Sequence, residues 1–351
     1  MRVGVVGLRQ GLHLGVWAAR LGFKVVAVCD HDPALHGTAQ QQLPDATVTD
    51  RWQDLLDADL DGVVLANDFD AHAPLAIAFL ERGIHVLSET AACADVEQGR
   101  RLIAAADASS ATYSFAENYV FHPQVRLIRQ AVDAGELGRP QLIEADYLHG
   151  LSREQVDGLI GDPAHWRGRI AATAYCTHTV SPVLALTGGR PVEVTAFAVD
   201  ADDPRAAVTI VVRLSTGALA ITRHGFLQGE PDSHWSWLSV RGSHALAESL
   251  RAAGDSAWSV RVRREAWTRQ DGAPHEEVRT PSALTRDGRP VDRGAEGTVL
   301  LLEGFRDTAE RGEPPLVPVR AAVEASLVGV AGAESLRSGS RPVAMPDLSG
   351  S

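Results

Sequence analysis

Over the first 120 positions the apolar residues fall into short β-branched runs, separated by stretches with helical spacing. Residues 2–6 and 25–29 do not alternate apolar with polar, which predicts strands buried on both faces. Between them, 12–21 places Leu14, Ala18 and Leu21 on one helix face, and Gly22 ends the helix. The pattern continues as helix 31–42, weak strand 46–49, helical piece 52–56, strand 62–66, helix 73–82, strand 85–87, helix 95–108 and strand 112–115. Strands alternating with helices predict a doubly wound parallel sheet with right-handed crossovers. Ligands bind beyond the strand ends of such sheets, which singles out Asn67, Ser88-Glu89-Thr90 and Glu117-Asn118.

Past Asn118 the pattern changes. One more helix is expected over 123–134, and then extended segments at 141–148, 192–199, 207–214, 218–223 and 236–241. Several alternate apolar and polar residues, as half-covered antiparallel strands do. Residues 272–297, rich in charge, glycine and proline, read as a surface loop, and helices at 298–311 and 319–336 close the chain. The expected fold class is α/β: a Rossmann dinucleotide-binding domain over 1–118, then an α+β substrate-binding domain with a largely antiparallel sheet over 119–351. A one-sided sheet usually buries its open face in a symmetric partner, so a homo-oligomer, dimer or tetramer, is expected.

Strand, Gly7, helix, strand and terminal Asp30 make the βαβ unit that holds a dinucleotide. The pyrophosphate sits on the helix N-terminus. The acid, about 20 residues after the first glycine, accepts hydrogen bonds from the ribose hydroxyls. The glycine fingerprint is altered here. Counted from Gly7, G-x-G-x-x-G needs glycines where Arg9 and Leu12 stand, and Gly11 serves as the third only in a loop one residue shorter. Arg9 is a candidate partner for the pyrophosphate. A carboxylate repels the 2′-phosphate of NADP, so Asp30 favours NAD. The candidate cofactor contacts are Gly7, Leu8, Arg9, Gln10 and Gly11 in the loop, Asp30, and Asn67, His72, Glu89 and Thr90 from later junctions. The competing reading is a βαβ unit that binds no nucleotide.

The formal net charge of −12 argues against nucleic acid and anionic membranes as partners. No apolar stretch is long enough to span a bilayer, and Gly4, Gly7, Arg9 and Gln10 break the N-terminal run that a signal peptide would need. Cys29, Cys93 and Cys176 are odd in number and widely spaced, so a reduced, cytoplasmic protein is expected. Lys24 is the single lysine, placed in a turn, which leaves no lysine for acid–base work.

In the second half the densest chemical cluster is Tyr175-Cys176-Thr177-His178. Tyr147 and His149 precede it at a strand end, and Trp166-Arg167 lies in the loop between. Each alone reads as a half-buried packing residue; together, beside a nucleotide domain, they read as a pocket. A metal site through Asp146, His149, His165 and His178 is disfavoured because no histidine pair has close helical ligand spacing, so no metal is expected. No Gly-x-Ser-x-Gly elbow is present.

Taken with the first βαβ unit, three segments carry a family resemblance: Asp61 to Asn67, Gly83 to Thr90 and Gly135-Glu136-Leu137-Gly138-Arg139-Pro140. In this order they resemble the glucose–fructose oxidoreductase/inositol dehydrogenase (Gfo/Idh/MocA) family, from Arg2 to about Arg341. The resemblance implies a nicotinamide cofactor on the Rossmann domain and a sugar or cyclitol held by the sheet domain. Ordinary members carry Glu-Lys-Pro where this chain has Glu89-Thr90-Ala91, and an Asp where it has Ala174, so their acid–base pair is absent. Glu117-Asn118, Tyr147-x-His149, Trp166-Arg167 and Tyr175-x-Thr177-His178 with Pro182 are similar to motifs of the NAD-dependent glycosidase branch. That branch also lacks the lysine. Cys176 and Ser181 differ from the Pro and Gly common there, so its substrate does not carry over.

The branch resemblance implies Tyr175 and His178 as the catalytic pair, with Glu117, Asn118, Tyr147, His149, Trp166 and Arg167 around a sugar or glycoside. The implied chemistry is oxidation at a carbinol, C3 being the expected carbon, followed by elimination of the anomeric substituent, addition of water and return of the hydride. Three alternatives stay open: a sugar dehydrogenase or reductase that stops at the ketone, a lyase or epimerase using the same intermediate, and a non-catalytic binding protein on the same fold.

Overall fold

The computed structural model describes residues 1–200, 202–203, 205–227, 229, 234–251 and 257–348. The chain forms two compact units. The first comprises Met1–Glu117, Thr298–Leu327 and a short stretch from Pro346; the second comprises Asn118–Gly297 and Val328–Met345. Residues 298–327 therefore cluster with the N-terminal unit, although they follow residue 118 by a long way in sequence.

The first unit is built on a parallel six-stranded sheet of β1 (Arg2–Val6), β2 (Lys24–Cys29), β3 (Thr47–Thr49), β4 (Gly62–Leu65), β5 (His85–Ser88) and β6 (Tyr113–Phe115). The spatial order is β3-β2-β1-β4-β5-β6. The direction of strand addition reverses between β1 and β4, the switch point where such sheets bind ligands. Val3, Val5, Val63, Val64, Val86 and Leu87 are all essentially inaccessible to solvent, the reason these strands read as unbroken apolar runs. At Gly62 an added Cβ would stand 2.8 Å from Phe305 Cζ, so glycine lets the helix Glu296–Arg311 lie close on β4.

The second unit holds a nine-stranded sheet. Its strands are β7 (Pro140–Leu148), β8 (Pro191–Ala198), β9 (Ala207–Leu214), β10 (Leu219–Gly225), β11 (Trp235–Gly242), β12 (Ala245–Leu250), β13 (Ser259–Arg264) and β14 (His275–Arg279), joined at one edge by the short Val343–Ala344. The β7–β10 pairing is parallel, and the neighbouring pairings are antiparallel. Inward residues alternate as expected for one covered face, with Ile143 and Ala145 on β7 and Val208, Ile210 and Val212 on β9 buried. The helix Thr177–Thr187 packs on β7 and β10.

The surface-loop expectation for 272–297 is corrected. That stretch contains β14, paired antiparallel with β13, and a two-stranded hairpin of Thr285–Arg286 and Arg289–Pro290. Strands β12 and β13 were likewise outside the predicted set. Their outward residues form ion pairs such as Arg261–Glu248 at 2.5 Å and Arg263–Glu276 at 3.9 Å, so charge masks the apolar half of the alternation.

Candidate active site

In the first unit the chain leaves β1 through Gly7, which has a φ of +90°. A Cβ there would stand 2.3 Å from the Ala66 carbonyl oxygen, so only glycine fits. A Cβ on Gly11 would meet Val5 Cγ1 at 3.0 Å, which gives Gly11 the close helix–strand packing role of a third glycine. The helix Gln10–Arg20 begins with Arg9 as a cap that makes no side-chain capping bond, and its first turn holds no acid. Its leading N–H groups suit an anion. The Arg9 side chain is 63% exposed and lies 3.9 Å from the Asp32 carboxylate.

Asp30 pins this loop. Its carboxylate accepts the Leu8 N–H at 2.7 Å and the Asp32 N–H at 2.9 Å, one on each oxygen, and each oxygen keeps a lone pair for a hydroxyl. The Leu8 side chain itself is buried in the core. Asn67 donates to the Asp68 carbonyl at 3.1 Å, while its own Oδ1 is buried without a hydrogen-bond partner. His72 is 2% exposed, and its Nδ1 lies 2.9 Å from the Ala91 carbonyl. Burial pulls its pKa down to about 4, so the ring is neutral and Nδ1–H donates. His72 thus ties the helix His72–Leu80 to the turn after Glu89 and Thr90, where the Thr90 N–H meets the Glu89 carboxylate at 3.2 Å. A glycine cradle, an uncapped helix start, an oriented carboxylate and the orphaned Asn67 Oδ1 together fit a dinucleotide.

In the second unit β7 presents Tyr147 on its covered face, and Tyr175 lies in the turn Ala174–Cys176 just before the helix that carries His178. That turn is anchored from the far end of the chain. Thr173 donates to the Gly329 carbonyl at 2.7 Å, and a Cβ on Gly329 would stand 2.9 Å from the Thr173 oxygen. The predicted residues come together. Ring centroids lie 4.7 Å apart for Tyr147 and His178, 6.1 Å for Tyr175 and His178, 6.3 Å for Tyr147 and Tyr175, and 4.5 Å for Tyr147 and His149.

Beside these rings lies an open pocket whose space, counted out into solvent, is about 520 Å³. Tyr147, Tyr175, Arg167, Arg205, His224 and Phe226 line it. The Arg167 guanidinium lies 4.9 Å over the Trp166 ring. Glu117 is buried in the first unit and Asn118 opens the second, so the structure divides that predicted pair by unit.

Sequence reasoning missed Tyr119, which stacks on His178 at 4.4 Å, and His122, Arg205, His224 and Phe226. Only His224 carried a signal: it continues the inward positions Ala220 and Thr222 along β10, where a polar ring is out of place. Burial pushes His224 down to about 4 and His122 to about 3, and lowers His149 as well, so these rings are neutral around neutral pH. Asp146 lies outside the cluster. It is held by Arg223 at 2.6 and 2.9 Å and by His234 at 2.6 Å, and among the described residues no group of three or more His, Cys, Asp or Glu could hold a metal ion.

Residues 1–117 match the model of an oxidoreductase family with an NAD-binding Rossmann fold, and residues 125–248 match a GFO/IDH/MocA C-terminal domain. A glycosyl hydrolase family 109 protein of Shewanella sp. (strain W3-18-1) is 27% identical over 198 residues, covering 52% of this chain and 43% of the relative. The chain thus spans about two fifths of the length of the curated relatives it matches. A levoglucosan dehydrogenase solved with NADH and levoglucosan superposes with a TM-score of 0.84 at 15% identity, covering 99% of this chain and 100% of that one. A myo-inositol 2-dehydrogenase of Lactobacillus plantarum gives 0.75 at 17% identity, with 99% of each chain covered. These two likenesses establish the fold. The first unit is an NAD-binding Rossmann domain.

One expectation follows for the cofactor. The protein is expected to bind NAD more tightly than NADP, and Asp30→Ala to weaken NAD binding by about 1–3 kcal/mol, the worth of charge-assisted hydrogen bonds. Calorimetric titration with both nucleotides checks it; NADP binding as tight as NAD would rule out this role for Asp30.

Proposed function

The chain belongs to the GFO/IDH/MocA family of oxidoreductases, and on that premise we propose that it acts on a sugar or glycoside with NAD as a resident cofactor, in a cycle that returns the cofactor to its starting state. The observation that carries this reading is the grouping of Tyr147, Tyr175 and His178, the two tyrosines lining one pocket, in a chain whose single lysine, Lys24, opens β2. A lysine-based dehydrogenase pair is unavailable, and a tyrosine–imidazole pair is present.

When bound, NAD⁺ supplies a hydride acceptor at a sugar carbinol, C3 in this proposal, and the ketone so formed acidifies the neighbouring C–H. Gly7, Gly11 and the start of the helix Gln10–Arg20 would hold its pyrophosphate, Asp30 its adenosine ribose, and Asn67 a further polar group. Tyr175 takes the proton beside the ketone, and the anomeric substituent leaves. A phenol has an ordinary pKa of about 10, so the phenolate needs support. His178, its ring centroid 6.1 Å from that of Tyr175, supplies that support by relaying the proton. Tyr147 and Trp166 offer ring faces to the sugar.

The test combines two signals in one experiment. The protein is incubated with NAD⁺ and a panel of glycosides while nicotinamide absorbance and aglycone release are followed. Aglycone release without net accumulation of reduced cofactor is expected. Steady accumulation of reduced cofactor with no aglycone would replace this reading with a simple sugar dehydrogenase. The homo-oligomer is proposed on the exposed Phe197, on the open sheet face, and native mass measurement checks it; a monomer would end that proposal.

A further inference from the structure

We propose that the substrate bears a carboxylate, as a uronic acid does, and that Arg167 is the residue that selects it; this rests on the reading that the second unit holds a sugar. Two guanidinium groups line the pocket, and they differ in what neutralises them. Arg205 lies 3.3 Å from the Asp203 carboxylate and 3.5 Å from that of Asp157, so its charge is spent within the fold. Arg167 has no carboxylate within ion-pair distance among the described residues. Its backbone N–H goes to His165 Nδ1 at 3.2 Å and its guanidinium stacks on Trp166, but its Nε is buried without a hydrogen-bond partner.

A guanidinium that lines a pocket without a carboxylate partner invites an anionic group to complete it. A guanidinium presents pairs of parallel N–H donors whose spacing matches the two oxygens of a carboxylate. The Trp166 ring, with its centroid 4.9 Å from the guanidinium carbon, helps to hold the group in place. The rest of the wall is consistent with one anion. His224 is 2% exposed and lines the same pocket. The Ala172 backbone beside it slightly favours the protonated ring, yet neither ring nitrogen makes a well-formed hydrogen bond. A neutral imidazole there can meet a sugar hydroxyl without competing for the carboxylate. The protein as a whole carries a formal charge of −12, so this local positive charge runs against the average field and would act at close range.

Calorimetry on the NAD-loaded protein tests the proposal with nitrophenyl glucuronide and galacturonide beside the nitrophenyl glucoside and galactoside. At least one uronide is expected to bind about 10- to 100-fold more tightly than its neutral counterpart, the range for hydrogen bonds to a charged group. Arg167→Met should bring that ratio close to one, and Arg167→Lys, which keeps the charge without the fork, should leave it between. The affinity of each variant for the neutral glycosides reports that its second unit has folded. Equal affinity for uronide and neutral glycoside overturns the proposal and leaves the sugar reading standing, as does a ratio that survives Arg167→Met. Preference for a hexose phosphate over either uronide overturns the carboxylate assignment. Binding of neither class of sugar overturns both readings together.

Discussion

Replacing Tyr175 with phenylalanine is expected to slow product release from a glycoside by about 10²–10⁴-fold, the usual worth of a positioned acid–base group, while one round of nicotinamide reduction survives. The reason lies in what the substitution keeps. The Tyr175 ring lies 6.3 Å from Tyr147, 6.1 Å from His178 and 5.8 Å edge-on from Phe226, and phenylalanine preserves all three ring contacts. Pocket shape and sugar binding are therefore retained, and only the hydroxyl that takes the proton beside the ketone is lost. The variant should stall as reduced cofactor with a keto sugar. A simple dehydrogenase predicts the opposite pattern. There Tyr175 only lines the pocket, and Tyr175→Phe leaves steady cofactor reduction within about tenfold. Single-turnover absorbance of the nicotinamide, followed with product release across a glycoside panel, separates the two. Unchanged product release by Tyr175→Phe would remove Tyr175 from the chemistry and leave that work to His178.

The two units differ in how far their sequence announces them, and the physical reason is burial. The strands of the first unit are covered on both faces, so runs such as Gly62–Leu65 carry a continuous apolar signal that charge does not interrupt. Gly7 and Asp30 were legible for a related reason. A backbone forced to a φ of +90° against the Ala66 carbonyl, and a carboxylate that must accept the Leu8 N–H, admit few other residues. In the second unit one sheet face is open, and the outer strands carry alternating Arg and Glu that pair across the sheet. Val260 and Val262 are buried, yet they are flanked by Arg261, Arg263 and Arg264, and the segment is absent from the strands that the sequence predicts.

Site residues divide along the same line. Tyr147, Tyr175 and His178 stand in short motifs, and their types announce chemistry. His224 reaches the pocket only because β10 pairs in parallel with β7, which sets it opposite Tyr147 across a long loop in the chain. Arg205 lines the pocket from just before β9, which lies two strands from β7 in the same sheet. Such neighbours are made by strand order, which local sequence does not encode. The Ala91 carbonyl that His72 meets is likewise supplied by tertiary contact, and it makes this candidate cofactor residue a buried brace for the turn as well.

Mild acid should destabilise the fold well before its carboxylates titrate. His72 and His224 have pKa values lowered to about 4 and His122 to about 3, against an ordinary value of 6.5, each chiefly by burial. His178 faces both His122 and His224 and opposes their protonation further, while Asp70 near His72 works weakly the other way. Between about pH 6.5 and pH 4 the unfolded chain therefore binds protons that the folded chain refuses, and stability falls as pH falls. Above 6.5 the contribution is fully present. At about pH 5 each ring costs on the order of 2 kcal/mol, and the three together give a slope of about 4 kcal/mol per pH unit. His149, lowered in the same direction, steepens it. Asp146, raised by burial, acts in the opposite sense through its own protonation. His122 and His224 both belong to the second unit, so that unit should lose stability more steeply than the first. Five of the seven tryptophans, Trp166, Trp235, Trp237, Trp258 and Trp267, also belong to the second unit, so intrinsic fluorescence reports mainly on it. Urea titrations followed by fluorescence at about pH 7 and about pH 5 should show the midpoint falling sharply, with His122→Gln removing about one proton from the slope. A midpoint that holds constant over that interval would mean that these imidazoles protonate inside the fold as readily as in water.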